Sequence, residues 1–323
     1  MSKSKQKTKF SIFTVLLIIV FVILFVYALS FILLLSWGFM TSLKSIIDFT
    51  DLGNVMGLPD ERFSAEQLKF ANYTLVISSF EFPISDKSYY SAIFGLISKP
   101  KIPNTNFLML VWNSVAYAIF GCILHSFAAA TVAFICAKYK FRYCEVIYTT
   151  ALIIMIIPIV GAYPSELKMM QDLGLYNSYF GMWFQKINFT GIYFFVFYAF
   201  FRGLPDSYIE AAEIDGASQL STYITIVIPL AIKVISTVML LSFIDYWNNY
   251  QNSLLYFPSM PTLAYGVFQM STQTVNANPN MKGAWGTPQK IAGCMTLALP
   301  LIVLFIVFRN KILGDVSLGG LKE

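Results

Sequence analysis

Charge is scarce in this chain. Lysine, arginine, aspartate and glutamate make up 12% of its 323 residues, about half of the roughly 25% typical of a soluble domain. With a mean hydropathy of +0.66, that deficit excludes an ordinary soluble domain and points to lipid as the solvent. There is one histidine, His125, so no paired-histidine metal site can be assembled. Cys122, Cys136, Cys144 and Cys294 have neither metal-ligand nor disulfide spacing and read as packing residues. No Gly-x-x-x-x-Gly-Lys-Ser/Thr occurs, so the usual cradle for ATP phosphates is missing. No nucleophile elbow is visible either. Nor is there an internal repeat, which weighs against the repeat-built secondary transporters. The expectation is a chain with no catalytic residue, no metal and no cofactor of its own.

What is present is a series of apolar runs. A hydrocarbon core of roughly 30 Å takes about 20 helical residues, and six runs qualify or come close. Phe10 to Met40 and Phe107 to Ala137 carry no charged residue, and Tyr223 to Ile244 carries only Lys233. Val146 to Ala162, about Tyr179 to Phe201, and Ile291 to Phe308 are shorter or interrupted. Six spans fit best; five remain if the third or fourth is re-entrant. The first run is too long for a signal peptide's apolar region of roughly 7–15 residues, so it reads as a retained span. Lys3, Lys5, Lys7 and Lys9 precede it, Lys138, Lys140 and Arg142 follow the second, and Arg309 and Lys311 follow the last. The positive-inside rule then puts both termini in the cytoplasm. That topology also accounts for the net charge of +5, so nucleic acid is not implied.

The predicted organisation is uneven. Residues 1–40 hold the cytoplasmic N-terminus and first span, and 41–106 an extracytoplasmic segment. A five-helix core fills 107–309, with a cytoplasmic tail at 310–323. In the outer segment, Leu75 to Ile77 and Tyr89 to Phe94 read as strand-like or amphipathic. The stretch 245–289, rich in Asn, Pro, Gly and Thr, reads mostly as loop, and the short segment from Glu166 to Asp172 as another. Pro158 and Pro300 fall inside spans, where neighbouring helices tolerate them. Ala116, Ala118, Gly121 and Ala128-Ala129-Ala130 mark the second span as one that packs closely in a bundle or subunit interface.

One polar element between the fourth and fifth spans stands out at 203–222. Ser207-x-x-Glu210 reads as a capping box, Gly216 as a helix stop, and Ser218 as the cap of the next helix. Each signal alone is ordinary. Together, Glu210, Ala211, Ala212, Asp215, Gly216, Ala217 and Pro229 resemble the Glu-Ala-Ala loop of ATP-binding-cassette (ABC) importer permeases. Several flanking segments are similar to the carbohydrate-uptake branch of that family: Trp112-Asn113-Ser114, Leu173-Gly174-Leu175-Tyr176-Asn177-Ser178-Tyr179, Phe201-Arg202-Gly203-Leu204-Pro205 and Trp247-Asn248-Asn249. The tail Leu318-Gly319-Gly320-Leu321-Lys322 resembles that of the smaller maltose-transporter-type permease. The likeness covers about 107–323. Lys233, where the family pattern often has a second proline, and the long 41–106 segment depart from it.

The resemblance implies an all-α membrane protein with the type I ABC importer fold in a bacterial cell membrane. It implies a heterodimer with a second permease, two ATPase subunits that bind ATP and Mg, and an extracytoplasmic solute-binding protein. It further implies that Glu210 to Ala217 couples to the ATPases and that the cargo is a carbohydrate, an oligosaccharide being the expectation in that branch. Trp247, Asn248, Asn249 and Tyr250 offer the aromatic faces and amides that sugars need, though an aromatic belt would look the same. A permease for a non-sugar solute is the near alternative. His125, alone in mid-span, reads first as a neutral packing imidazole. Otherwise it would centre a proton-coupled carrier or intramembrane enzyme, for which the spans nearly lack carboxylates. Lys233 is expected to snorkel to the interface; otherwise the fifth helix begins below the membrane, or the cation is buried against a carboxylate or carbonyl partner.

Overall fold

The computed structural model describes residues 12–80, 105–139, 141–157, 161–272 and 285–316. Every regular element among them is helical. That suits a chain in lipid, because a helix satisfies its backbone groups within its own segment. The described residues fall into two compact units, one of 12–76 with 285–296 and one of 77–272 with 297–316.

In the first unit, α1 (Ile12–Ser42) is a 31-residue helix whose apolar residues from Val15 to Leu35 are almost all exposed. After it come a wide π turn (Ile47–Asp51), α2 (Glu61–Ser64) and a short 3-10 turn (Gln67–Lys69). Two buried charges organise this stretch. Lys44, fully buried, donates from Nζ to the carbonyls of Asn54 at 2.6 Å and Val55 at 3.2 Å. Asp48, also fully buried, accepts from Asn54 Nδ2 at 2.8 Å, the Asp60 amide at 2.9 Å and Ser64 Oγ at 2.8 Å. Burial alone would push the Asp48 carboxyl up. The three donors and nearby Lys44 outweigh it and hold the group below the usual carboxylate range. Burial lowers Lys44 as well, with Asp48 opposing.

A depressed carboxyl contributes stability above its unfolded pKa and loses it as pH falls through the folded value. The 48–64 network should therefore hold at neutral pH and loosen only below the ordinary carboxylate range. Asp48→Ala should speed amide exchange across residues 54–64 by about ten- to a hundredfold at neutral pH, the cost of orphaning buried donors. Exchange read by mass spectrometry checks this, and unchanged protection would count against the network.

Helix α3 (Ala71–Ser78) replaces the strand-like reading of Leu75 to Ile77. No strand lies among the described residues for it to pair with, and a helix needs no partner. It starts where Phe70 takes a left-handed φ of 64° and its carbonyl accepts from Tyr73 and Thr74. Tyr89 to Phe94 lie outside the described residues, as do Pro158 and the C-terminal Gly319-Gly320.

The second unit is built around α4 (Phe107–Lys138), which packs against α8 (Ile192–Gly203) and α11 (Ile228–Trp247). Small residues make the close approach possible: Ala116, Ala118, Ala129, Ala130 and Ala133 are all buried. Of these, Ala129, Ala130 and Ala133 meet Phe194, Phe197 and Phe201 of α8, and Ala231, Ile235 and Val238 of α11. The remaining helices are α5 (Arg142–Ile156), α6 (Ala162–Asp172), α7 (Tyr179–Phe184), α9 (Ser207–Ile214), α10 (Gln219–Thr222), α12 (Gln251–Leu255), α13 (Leu263–Thr272) and the end of α14 (Thr287–Val316). So Glu166 to Asp172 is helical, and the described part of 245–289 includes α12 and α13 where mostly loop was expected.

Among the described residues, four helices are long and apolar enough to cross a membrane: Thr14–Ser42, Phe107–Lys138, Gln219–Trp247 and Thr287–Phe308. The third and fourth predicted spans come out shorter. Helix α5 has 15 residues, about 22 Å at 1.5 Å each, and the run from Tyr179 to Phe201 divides into α7 and α8. The break falls at Asn188, whose side chain accepts from the Thr190 amide at 2.7 Å. Such a local bond competes with the helix ladder. Pro300 stays within a continuous α14. Lys233 lies exposed on the surface of α11.

The segments flanking α4 are tied down by the signature residues. Asn113, fully buried, donates from Nδ2 to the Pro261 carbonyl at 2.9 Å and accepts from the Tyr179 hydroxyl at 2.5 Å. Ser114 Oγ accepts from the Leu263 amide at 2.7 Å. Asn177, at a left-handed φ of 55°, exchanges bonds with Ser259 at 2.9 and 3.0 Å. At Gly181 any Cβ would lie 1.9 Å from the Leu175 carbonyl oxygen, so only glycine fits there.

Candidate functional site

Two features of the second unit invite a functional reading: a polar foot at 204–222 and a cleft at the far end of the helix that leaves it. The foot is held from both sides. Lys138, its side chain only 6% exposed, pairs with Asp206 at 2.5 Å and also donates to the Leu204 carbonyl. Asp206 is the N-cap residue of α9 with helical φ/ψ and no side-chain cap bond. The expected capping box at Ser207 and Glu210 is therefore not formed: Ser207 lies inside the helix, and Lys138 fixes the entry instead.

The exit is a glycine turn. Gly216 has φ 78°, the Gly216 amide donates to Glu213 O at 3.0 Å, and the Ala217 amide to Ala212 O at 2.9 Å. That pair of bonds is the Schellman arrangement. Ser218 Oγ then accepts from the Ser221 amide at 3.2 Å and caps α10. Helix α10 continues through a π turn (Tyr223–Val227) into α11, giving a 29-residue run, Gln219–Trp247. Pro229 sits at the start of α11. It has no N–H to give, so a wide turn ahead of it is a natural accommodation.

Glu210, Ala211, Asp215 and Gly216 are exposed on the foot, and Ala217 is half-buried. Ala212, only 4% exposed, faces the chain's own interior. Beside the acids stand two apolar side chains, Ile214 at 86% and Leu220 at 68% exposure. The foot thus offers a negatively charged, partly apolar surface on a turn of fixed geometry. Its exposed carboxylates suit a basic partner surface.

At the other end of α11, Ile244, Asp245, Asn248, Asn249, Tyr250 and Gln251 line a cleft of about 340 Å³. Three of the four substrate-path candidates are here. Tyr250 stacks on Phe268 at 4.2 Å, and Asn249 Oδ1 accepts from the Asn252 amide at 2.9 Å. Trp247 is elsewhere: it is 3% exposed and donates to the Leu297 carbonyl at 3.0 Å, a packing role. Amides, a carboxylate and an aromatic ring make this a polar cleft.

The family model described as binding-protein-dependent transport system inner membrane component matches residues 129–313, a span that contains both the foot and the cleft. The chain belongs to that family. Among curated relatives of this inner-membrane component is the arabinooligosaccharides transport system permease protein AraQ of Bacillus subtilis, 27% identical over 65% of this chain and 72% of its own. The melibiose/raffinose/stachyose import permease protein MelC of the same organism is 24% identical, over 65% and 74%. The maltose/maltodextrin transport system permease protein MalG of Vibrio vulnificus is 25% identical, over 71% and 76%. A solved chain titled as a bacterial ABC transporter involved in the import of the acidic polysaccharide alginate superposes with TM-score 0.67 at 22% identity. It covers 92% of this chain and 96% of its own, which establishes the type I importer permease fold.

Sequence reasoning about this inner-membrane component passed over several residues. Asp245 joins the cleft, and Ile214 and Leu220 the foot; apolar residues in an otherwise polar loop were the available signal. A partly buried polar network also runs from Asn252, next in sequence to the cleft residue Gln251. Asn252 Nδ2 donates to the Tyr117 hydroxyl at 2.7 Å and to Gln185 Oε1 at 3.0 Å. Glu166 accepts from Gln185 at 2.6 Å and from Tyr256 at 2.8 Å. Lys186, 9% exposed, places Nζ 5.2 Å from the Tyr117 ring centre and 4.9 Å from that of Tyr246, within range of a cation–π contact. Its signal was a lone cation in an apolar run. His125 lies against the edges of Tyr193 and Tyr246, with ring centres at 5.6 and 6.2 Å. Its Nδ1 is buried without a hydrogen-bond partner among the described residues.

Proposed function

We propose that this inner-membrane component is one of two permease subunits of an ATP-driven importer that carries a carbohydrate, an oligosaccharide, into a bacterial cell. The observation that carries the reading is the single helical run from Gln219 to Trp247, with the foot at one end and the cleft at the other. Movement of the foot therefore has a stiff path to the cleft. The relatives' names, which print arabinooligosaccharides, raffinose and maltodextrin as cargo, support a sugar, as does the cleft's set of amides, carboxylate and tyrosine.

In this mechanism both termini and the foot face the cytoplasm, and six segments cross or enter the bilayer. Two partner ATPases bind ATP and Mg, close on each other, and draw the Glu210–Ala217 foot with them. The Schellman turn at Gly216 keeps the foot at a fixed angle to α10, so α11 tilts rather than bends. The cavity opens outward to take sugar from a solute-binding protein, and hydrolysis returns it. Catalysis of ATP hydrolysis belongs to the partners. Purification of a tagged chain in mild detergent should bring down a second permease and an ATPase with a phosphate-binding loop. A chain that comes out alone from several mild detergents would count against the reading.

A further inference from the structure

The loop from Leu52 to Pro59 has an unusual combination of properties: it is rigid, uncharged and apolar on its outside. Leu52, Val55, Met56 and Leu58 are exposed at 52, 39, 78 and 73%. A loop facing water is normally polar, and one facing nothing specific is normally loose. This one is neither. Lys44 and Asp48 nail it from within, as described above, and Asn54 Nδ2 also donates to the Leu58 carbonyl at 2.8 Å.

Its place along α1 says what covers it. The Trp37 indole donates to the Val55 carbonyl at 3.0 Å, so the loop folds back beside α1 instead of continuing outward. Trp37 lies five residues before the end of α1 at Ser42, about 8 Å back along the axis. The apolar stretch of α1 begins near Ile12, and roughly 20 residues fill the hydrocarbon core. Trp37 then falls in the headgroup zone at the far side of the bilayer, where tryptophan is enriched. On α1 the exposed apolar residues run from Val15 to Leu35, with Phe39 beyond Trp37.

We infer that residues 52–58 form a membrane-interface anchor that seats Val55, Met56 and Leu58 among the lipid headgroups and upper acyl chains of the outer leaflet. The internal bonds fit that surrounding. The carbonyls of Asn54, Val55 and Leu58 are already satisfied by Lys44, Trp37 and Asn54, which lowers the cost of taking backbone out of water. The charged neighbours Asp51, Glu61 and Arg62 flank the loop and leave its tip free of charge. The inference rests on α1 crossing the bilayer and not on the identity of the cargo.

Nitroxide labels at Met56→Cys and, separately, Leu58→Cys test it, in a background with the exposed Cys294 changed to serine. The full-length chain, with its co-purifying subunits, would be reconstituted in phosphatidylethanolamine–phosphatidylglycerol vesicles. Power saturation then compares relaxation by oxygen with that by a water-soluble nickel chelate. The expected result is oxygen dominance at both positions, a positive depth parameter. Nickel dominance at both would place the loop in water. Exclusion of both reagents would place it under a partner protein. Either outcome overturns the anchor. A label at Val22→Cys, in mid-α1, separates the two readings: water exposure there would sink the membrane assignment itself.

Discussion

Gly216→Val is expected to cut ATP-driven uptake by about tenfold or more while the chain still inserts and assembles. The reason is backbone, not bulk. A Cβ at Gly216 would meet nothing within 4 Å, yet its φ is +78°. That conformation costs an L-residue roughly 1–2 kcal/mol, a factor of about 5–30 against the native turn, and a β-branched side chain suffers most. With the turn lost, the Ala217 amide no longer reaches Ala212 O, and the foot swings free of α10. Gly216→Asn, which tolerates the left-handed region, should keep most of the uptake. Uptake by reconstituted complex, with ATPase activity measured in parallel, decides. Equal losses for Val and Asn would mean that the position matters by contact and not by turn geometry.

Asn113→Ala should lower stability by about 2–4 kcal/mol, because two buried groups lose their partner at once. The Pro261 carbonyl loses its donor and the Tyr179 hydroxyl its acceptor. Asn113→Asp should do no better: it keeps the acceptor for Tyr179 but sets a carboxylate oxygen against the Pro261 carbonyl. Trp112→Ala, at a 65% exposed neighbour, serves as the control and should change little. Thermal unfolding followed by loss of monodispersity reads all three. A Trp112 effect equal to that of Asn113 would show that the start of α4, not this bridge, is what matters.

What the sequence showed plainly was whatever is local. The apolar runs of α1, α4, α11 and α14 follow from composition over a membrane's thickness. The glycine stop at 216 and the serine cap at 218 follow from rules spanning four residues. The small-residue stripe of α4 was legible because close packing in lipid has few other solutions.

What it hid was whatever depends on a distant partner. Ser207 and Glu210 fitted a capping box, but Lys138, from the end of α4, had already taken Asp206 and the Leu204 carbonyl. Trp247 looked like its neighbours Asn248 and Asn249, and only the α14 backbone at Leu297 shows that it turns inward. The Lys44 and Asp48 network could not be seen because the hydrogen-bond partners of each charge lie 6 to 16 residues away. The break at Asn188 was masked by the hydrophobicity on both sides of it.

A photoreactive amino acid at Ile214, the most exposed apolar side chain of the foot, would report whether this surface grips an ATPase. In the intact complex, irradiation should yield an adduct to an ATPase subunit, in an amount that changes when ATP is added. A probe that captures only lipid or water in every nucleotide state, with the complex still assembled, would contradict the coupling role of the foot.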